Sequence, residues 1–451
     1  MNKLLDWSGY RDRGLGDAYA DIPNHGEDFA KAISVCIRSG NCQKTDNRGV
    51  MCPSFKVSQA PNFSPGGRVL LFKKLLNQDD ISFLRDEALA ESLAQCVSCK
   101  GCKRDCENGL DMAAIKVEYL AQRHQAGLAP KRNQLFAEFP FLLYRFGALK
   151  PLIKWRNRST WLKSLGEKFL GINAQMPLPE PAAERYQGPK DPVLAAQSSD
   201  PNWSVVLLVD SLTAMFAPEA ARDAEKLLRA AGYQVTVLHP QSDPRNGLLD
   251  SGRSLFSQGF IERAKEQAQQ LLGLLTPFVE AGHRIIGLEP STHLMLRDEF
   301  LVLGLGEPAQ ALAAQTLLLE EFIAKELAAK RFQAQFKAYQ GPSPVLVHGH
   351  CHQKAVGAMK AMRKVVKLID ELPYQYMAVS CCGMAGSYGM EAENAAQSKA
   401  MAQLELLPSL DAEPQGLVLS NGFSCNQQIL GLRGRKAVHL ATLLCDHLKT
   451  D

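Results

Sequence analysis

Seven of the twelve cysteines lie between Cys36 and Cys106, none lies between 107 and 350, and five follow from Cys351 onward. Cysteines used as small core residues would scatter, whereas these cluster at ligand-like intervals. The tightest group is Cys96-Val-Ser-Cys99-Lys-Gly-Cys102-Lys-Arg-Asp-Cys106, a C-x2-C-x2-C-x3-C run. Three thiolates on one tight loop can grip three irons of a cubane while the fourth points toward a second cluster. Structural zinc is usually closed by two separated C-x2-C pairs, so the run favours iron–sulfur over zinc. Glu107 follows Cys106 where such runs usually carry proline.

An altered run precedes it: Cys36-Ile-Arg-Ser-Gly-Asn-Cys42, then Cys52-Pro53 after nine intervening residues. On the same template Cys36 is the first ligand, Cys42 the third and Cys52 the fourth, with Ser39 where the second cysteine belongs. Paired runs exchange their fourth cysteines. Cys96, Cys99, Cys102 and Cys52 would then hold a complete 4Fe–4S cluster. Cys36, Cys42 and Cys106 would hold another with three thiolates, either a 3Fe–4S cluster or a four-iron cluster with a non-thiolate ligand. Asp46 is a candidate oxygen donor, although a solvated loop carboxylate is the commoner role.

A third constellation is C-terminal: Cys351 in His348-Gly-His-Cys-His-Gln-Lys354, the pair Cys381-Cys382-Gly383, and Cys425 in Ser420-Asn-Gly-Phe-Ser-Cys425. Each follows a predicted strand, at 344–348, 376–380 and 416–420. Open α/β sheets gather ligands at the carboxyl ends of their strands, so three loops would bring four thiolates together. Cys445 sits in a helical pattern from Val438 and reads as packing.

The elements that must position these groups follow from the rest of the chain. With 451 residues, 46% hydrophobic and 22% charged, the composition is that of a soluble globular protein of two or three domains. A net charge of 51 − 47 = +4 is too small for a dedicated nucleic-acid binder. No apolar run is long enough to span a membrane, and the N-terminal stretch has no apolar signal region. A cytoplasmic, thiol-reducing location is therefore expected, in which disulfides are rare. Residues 1–127 form a cysteine-rich helical domain, with amphipathic runs at 69–76 and 112–120. Residues 128–202 comprise a basic, aromatic helical segment and a proline-rich linker. Over 128–170 nine Lys or Arg face Glu138 and Glu167, with Phe136, Phe139, Trp155, Trp161 and Phe169 interleaved. Such a stretch suits an anionic membrane surface, a partner subunit, or a pair of helices lying across its own protein. From 203 strands alternate with helices, at 205–209, 235–238 and 285–288 with helical runs at 217–231, 259–281 and 308–338. A similar set follows over 341–451. Asp250-Ser-Gly-Arg253 stands where the second set has Cys381-Cys-Gly-Met384, and Glu289-Pro-Ser-Thr292 parallels the loop ending at Cys425. The halves read as a duplication in which only the second keeps its thiolates.

The Cys381-Cys-Gly motif, with Cys351 before it and Cys425 after it, resembles the CCG domain. That domain occurs in heterodisulfide reductase B subunits and in iron–sulfur subunits of glycolate, lactate and glycerol-3-phosphate oxidoreductases. The expanded Cys36-x5-Cys42-x9-Cys52-Pro-Ser, His348-Gly-His-Cys-His-Gln-Lys-Ala355, Cys381-Cys-Gly-Met-Ala-Gly-Ser-Tyr388 and Asn421-Gly-Phe-Ser-Cys425 resemble the iron–sulfur half of FAD-linked 2-hydroxyacid dehydrogenases of the D-lactate and D-2-hydroxyglutarate type. The implied fold is α/β: an N-terminal α-helical ferredoxin-like two-cluster domain, then a duplicated CCG domain with parallel sheets. Residues 203–340 would be a degenerate half and 341–451 the cluster-binding half. Asp250, Ser251 and Thr292 replace the cysteines of a typical first half, so no cluster is expected there. Cys425-Asn-Gln-Gln428 lacks the second cysteine of the heterodisulfide reductase pattern, which favours one 4Fe–4S cluster on Cys351, Cys381, Cys382 and Cys425.

No flavin-binding segment is visible and no G-x-G-x-x-G follows a strand, so FAD is expected on a partner dehydrogenase subunit. The resemblance implies an electron-transfer subunit that passes electrons from that partner through its clusters to an acceptor such as quinone, in the cytoplasm or peripherally at the inner face of the membrane. The competing reading is a heterodisulfide-reductase-like subunit whose CCG site reduces a substrate, with His348, His350 and His352 relaying protons and His350 and His352 as candidate catalytic residues. A zinc-bound scaffold is the non-redox alternative.

Overall fold

The computed structural model describes residues 3–9, 21–45, 49–79, 81–147, 149–188, 200–242 and 248–449. The Val- and Leu-rich run Ser204–Leu208 forms β1, buried along its whole length as a central parallel strand covered on both faces must be. It lies between β2 (Gln234–Leu238) and β3 (Arg284–Gly287), and β4 (Thr316–Leu318) completes a parallel sheet of order β2-β1-β3-β4. β5 (Val345–Val347), β6 (Tyr374–Tyr376), β7 (Leu417–Leu419) and β8 (Ala437–Val438) form a second parallel sheet of order β6-β5-β7-β8. Counted from each half's own first strand the orders are the same, so the two halves share a topology.

They also pack reciprocally. Helix Pro218–Ala230, after β1, lies on helix Leu440–Asp446, after β8; helix Leu319–Ala328, after β4, lies on helix Met359–Val366, after β5. Exchanging the halves exchanges these contacts, as a pseudo-twofold axis requires. Their apolar faces close one shared core through Val205, Leu227, Phe322, Val347, Val365 and Leu443.

Two edge strands escape the periodicity. The expected helix at 308–338 is two helices, Gly306–Gln315 and Leu319–Ala328, split by β4. Thr316-Leu-Leu318 continues an apolar helical pattern, and only pairing with β3 draws it into the sheet. β8 lies at the start of the run read as helix from Val438, and β6 falls two residues before the expected strand at 376–380.

At the N-terminus, helices Glu27–Ser34, Pro65–Leu76, Glu87–Ala94 and Met112–Gln125 enclose Phe29, Phe72, Phe83 and Tyr119, whose rings meet at 5.8–6.5 Å. The buried Glu118 carboxylate ties the chain start to this core. It accepts from the amides of Leu4 (3.1 Å) and Leu5 (2.9 Å), from the Trp7 indole (3.1 Å) and from the Gln122 amide (2.8 Å).

The basic segment forms three helices rather than a pair: Arg132–Arg145, Leu149–Arg158 and Thr160–Leu170. The last has no buried residue. The chain then runs without helix over 177–188, bonding back through Ala182 N to Met215 O (2.9 Å) and Tyr186 N to Ala214 O (2.7 Å); the linker prolines at 189 and 192 lie outside the described residues. Among the described residues no helix is long and apolar enough to cross a membrane.

Replacing Glu118 by Ala leaves three donors in residues 4–7 without their acceptor. Because a hydrogen bond to a charged group is worth more than a neutral one, Glu118→Ala should lower unfolding free energy by about 3 kcal/mol in urea titrations of the holoprotein. An unchanged midpoint would mean that the N-terminal strap contributes nothing.

Candidate cluster-binding sites

The loop from Cys96 to Cys102 turns through Ser98 and Lys100, both in the left-handed region (φ 47° and 59°), which folds the three thiols inward. Gly101 sits where a Cβ would lie 2.9 Å from Met51 N, so only glycine lets the 50–52 backbone come this close. The Asp105 carboxylate clamps that backbone by accepting from Val50 N at 2.6 Å and Met51 N at 3.0 Å. Cys52 is thereby delivered to Cys96, Cys99 and Cys102, all four buried. Cys99 and Cys102 interact electrostatically with each other and with Cys52, and Cys102 with Cys96; burial pushes the Cys99 and Cys102 thiols well up. Buried thiols that resist ionisation alone are suited to a cationic metal partner, which takes them as thiolates.

Cys36, Cys42 and Cys106 form a second set. Cys36 interacts with both others, and a Cβ on Gly66 would lie 3.4 Å from Cys42 Sγ and 3.9 Å from Cys36 Sγ. All three are half-buried. Ser39 is exposed and its Oγ faces its own loop at Asn41 N (3.5 Å). Asp46 lies outside the described residues.

The third set is built on the loops after β5, β6 and β7. Its thiols touch in series, Cys351 to Cys381, Cys381 to Cys382 and Cys382 to Cys425. Cys382 is pulled well below the ordinary thiol range, first by the Cys381 thiol and then by Cys425 and His348. Ligand atoms of His348, Cys382 and Cys425 all lie within 4.8 Å of one another, which adds His348 to this set. Gly383 (φ +91°) has the Ser398 carbonyl oxygen 2.2 Å from where its Cβ would be, so the glycine of the motif is required by contact as well as by φ. His350 interacts electrostatically with Cys351 and lies with Cys425 Sγ around Gly422. His350 Nδ1 accepts from His352 N at 3.1 Å, and His352 Nε2 meets Ser98 O at 3.1 Å. Cys445 lies half-buried beside Asp223, and burial raises its thiol to about 11.

The sets are contiguous. Cys99 interacts electrostatically with Cys351, and both share an apolar cluster with Cys381, Val97 and Tyr388. The His352–Ser98 contact and a Tyr388 Oη bond to Gln95 Oε1 (2.8 Å) fasten the N-terminal loop to the second half. Lys100 Nζ reaches Asp298 (2.6 Å) and Glu299 (2.7 Å), fastening the same loop to the first half. Sequence reasoning passed over one further feature: each set has a cation taken out of water. Lys73 serves Cys36, Arg68 serves Cys52, Cys96 and Cys102, and Lys354 serves Cys351, Cys381 and Cys425. Burial works against the charge on Arg68, but the three thiols outweigh it and hold the guanidinium protonated.

Residues 32–110 match the family model described as a 4Fe-4S dicluster domain. The chain is 23% identical over 460 residues to D-2-hydroxyglutarate dehydrogenase of Escherichia coli (strain K12), covering 92% of this chain and 43% of that protein. It is 24% identical over 449 residues to the probable glycolate oxidase iron-sulfur subunit of Bacillus subtilis (strain 168), covering 91% of this chain and 93% of that subunit. A component of the anaerobic glycerol-3-phosphate dehydrogenase of Escherichia coli (strain K12) matches at 25% identity over 238 residues, 51% of this chain and 56% of that one. The chain is an iron–sulfur protein of the CCG type. It spans less than half the length of the D-2-hydroxyglutarate dehydrogenases it matches, and no solved structure matches it.

In this CCG protein the cysteine-free half braces the other. Asp250 Oδ1 accepts from Gly252 N (2.9 Å) and its Oδ2 from the Ser211 hydroxyl, so this carboxylate holds its own loop. Glu320, on the helix after β4, accepts from the amides of Gln353 (2.5 Å) and Asn421 (3.4 Å), two loops that carry Cys351 and Cys425. Burial raises the Glu320 carboxyl from 4.5 to about 7. A carboxyl raised in the folded state contributes stability below its unfolded pKa, and that contribution is lost as pH rises through the folded value. Between about pH 4.5 and 7 the native protein should therefore lose on the order of 3 kcal/mol through this group. Glu320→Gln should flatten that stretch of a urea-unfolding pH series, and equal slopes in the two proteins would show that Glu320 does not titrate there.

Proposed function

We propose that this chain is an electron-transfer component of an oxidoreductase, taking electrons from an FAD-linked 2-hydroxyacid dehydrogenase partner and passing them to an acceptor of the quinone class. The apposition of Cys99 to Cys351 carries this reading, because it makes the thiol sets of two domains one continuous array. Cys52, Cys96, Cys99 and Cys102 would hold a 4Fe–4S cluster. Cys36, Cys42 and Cys106 would hold a second, of three irons or of four with a non-thiolate ligand. Cys351, Cys381, Cys382 and Cys425 would hold a third, with His348 against it. The donor sets fit such groups: soft thiols, largely buried, in threes and fours. When bound, the clusters supply one-electron transfer at potentials tuned by charge, hydrogen bonding and exposure.

The chain's own residues set those conditions. Arg68 and Lys354 place positive charge beside buried thiols, and the apolar wall of Val50, Val97, Tyr388 and Met401 keeps water from the junction. The outer set is flanked by the exposed Ile37 and Arg38, which offers a protein partner an approach to Cys36. Helix Thr160–Leu170 has Trp161 and Phe169 65% and 70% exposed with Lys163 and Lys168 among them, the composition of a helix lying in an anionic interface. That helix supports a reading in which the protein attaches peripherally to the inner face of the membrane.

Anaerobically purified protein should contain about eleven or twelve irons per chain with matching acid-labile sulfide. Zinc in their place would end the electron-transfer reading. Ser39→Cys should convert a three-iron EPR signal to a four-iron one; an unchanged spectrum would count against the ligand alignment at Cys36 and Cys42. On vesicles rich in phosphatidylglycerol, the protein should float at low salt, and Trp161→Glu with Phe169→Glu should leave it at the bottom of the gradient. Equal flotation of wild type and double variant would remove this helix from any membrane role.

A further inference from the structure

Helices 132–170 roof a cavity of about 940 Å³ whose floor reaches Cys96, Cys351 and His352. That is the upper end of the range for small-molecule sites, which are mostly apolar with few convergent polar groups. Its polar lining falls in two places: Arg132 and Glu393 pair beside Gly171 at the end of the roof helix Thr160–Leu170, while Lys116 and His352 lie inside. Toward the outside it is lined by Leu152, Leu165, Phe169 and Leu170, which are also 50%, 38%, 70% and 49% exposed to solvent. The cavity mouth therefore opens on the same apolar, lysine-bearing surface of helix Thr160–Leu170. Toward the inside the groups are polar and confined. The Lys116 ammonium donates to Cys96 O at 2.5 Å and, with three hydrogens, can donate further. His352, 4% exposed, uses Nε2 toward the Ser98 carbonyl, while its Nδ1 is buried without a hydrogen-bond partner. A carbonyl facing Nε2 requires the proton there, so Nδ1 presents a lone pair.

We infer that this cavity is the binding site of a long-tailed, membrane-soluble quinone, with its ring at the Lys116–His352 end beside Cys351 and its tail running out between Leu152, Leu165 and Phe169. The match is chemical at both ends. A quinone ring carries oxygens at its margin, which accept from an ammonium when oxidised and donate O–H to an imidazole nitrogen when reduced, and its tail is hydrocarbon throughout. A polar or charged acceptor would leave the outer wall unmatched, and a plain hydrocarbon would leave Lys116 and His352 Nδ1 unused. The inference rests on the electron-transfer reading above and names the acceptor's place within it.

Gly166 provides the test. It lines the cavity, and a Cβ built on it meets nothing within 4 Å, so a large side chain there enters open space without displacing the fold. In the purified holoprotein, decylubiquinone should quench tryptophan fluorescence saturably at one site per chain, and Gly166→Trp should weaken that binding by about tenfold or more. Iron content and EPR spectra should be the same in both. Lys116→Met should weaken binding of decylubiquinone but not of dodecane, which lacks the ring and any oxygen acceptor. The proposal is overturned if Gly166→Trp binds decylubiquinone as wild type does, if no saturable binding occurs, or if dodecane displaces the quinone with equal affinity and Lys116→Met changes neither. Reduction of the clusters by a reduced FAD-linked dehydrogenase is followed in the same samples by EPR. Intact reduction with no quinone binding sinks the cavity assignment alone, and intact binding with no reduction sinks the electron-transfer reading instead.

Discussion

The burial of one short loop against a second domain is the constraint on which the rest of the structure depends. Residues 96–102 must present three thiols to Cys52 on one side and lie against Cys351 on the other. A loop so placed carries backbone polar groups and lysines into a region closed to water, where each needs a partner. Ser98 O is met by His352, Lys116 takes Cys96 O, and Lys100 is held by Asp298 and Glu299. The ion pairs are buried enough that burial would otherwise discharge Lys100, and the two carboxylates outweigh it and hold the ammonium protonated. Removing one member of such a pair costs about 3–5 kcal/mol because the other charge stays buried. The domains are thus locked in the one arrangement that keeps Cys99 and Cys351 together.

The duplicated topology explains how the thiols of the second half can rest on a half that carries no cysteine. The pseudo-twofold packing needs both sheets, because each half supplies one helix to each of the two reciprocal contacts. Deleting the first half would expose the core shared by Val205, Phe322 and Val365. Side chains of the first half instead brace loops of the second. Glu289 caps its own helix through Thr292 N at 2.8 Å and also faces Phe423 N across the junction at 3.4 Å. Glu320 does the same for the loops of Cys351 and Cys425.

Much of this was legible from spacing. Cysteine intervals mark the two N-terminal sets because a cluster dictates how close its ligands sit in sequence. The duplicated order of strands was legible from Asp250-Ser-Gly and Cys381-Cys-Gly occupying like positions. What the sequence concealed depends on distance rather than order. β4 and β8 are strands only because a neighbour pairs with them. Arg68 sits in a helix that reads as merely amphipathic, and nothing in Gly66-Gly-Arg68-Val discloses that its guanidinium ends 4.0 Å from Cys52 Sγ. His348 resembles its neighbours His350 and His352 in the sequence, yet it is the one whose ring nitrogen groups with the Cys382 and Cys425 thiols.

The three buried cations bear on how such an array works at all. Thiol ligands on bound clusters concentrate negative charge in a medium that screens it poorly, and an uncompensated site would be hard to reduce. Lys73 and Arg68 lie five residues apart on one helix, Pro65–Leu76, and so face different thiol sets from a single rigid element. That helix also presents Gly66 to Cys42 and Cys36. Moving it would shift the charge beside both N-terminal sets together, which preserves the difference between them while changing both. Lys354 belongs instead to the short helix that begins at Cys351, so the third set carries its own compensation and stays independent of the first two.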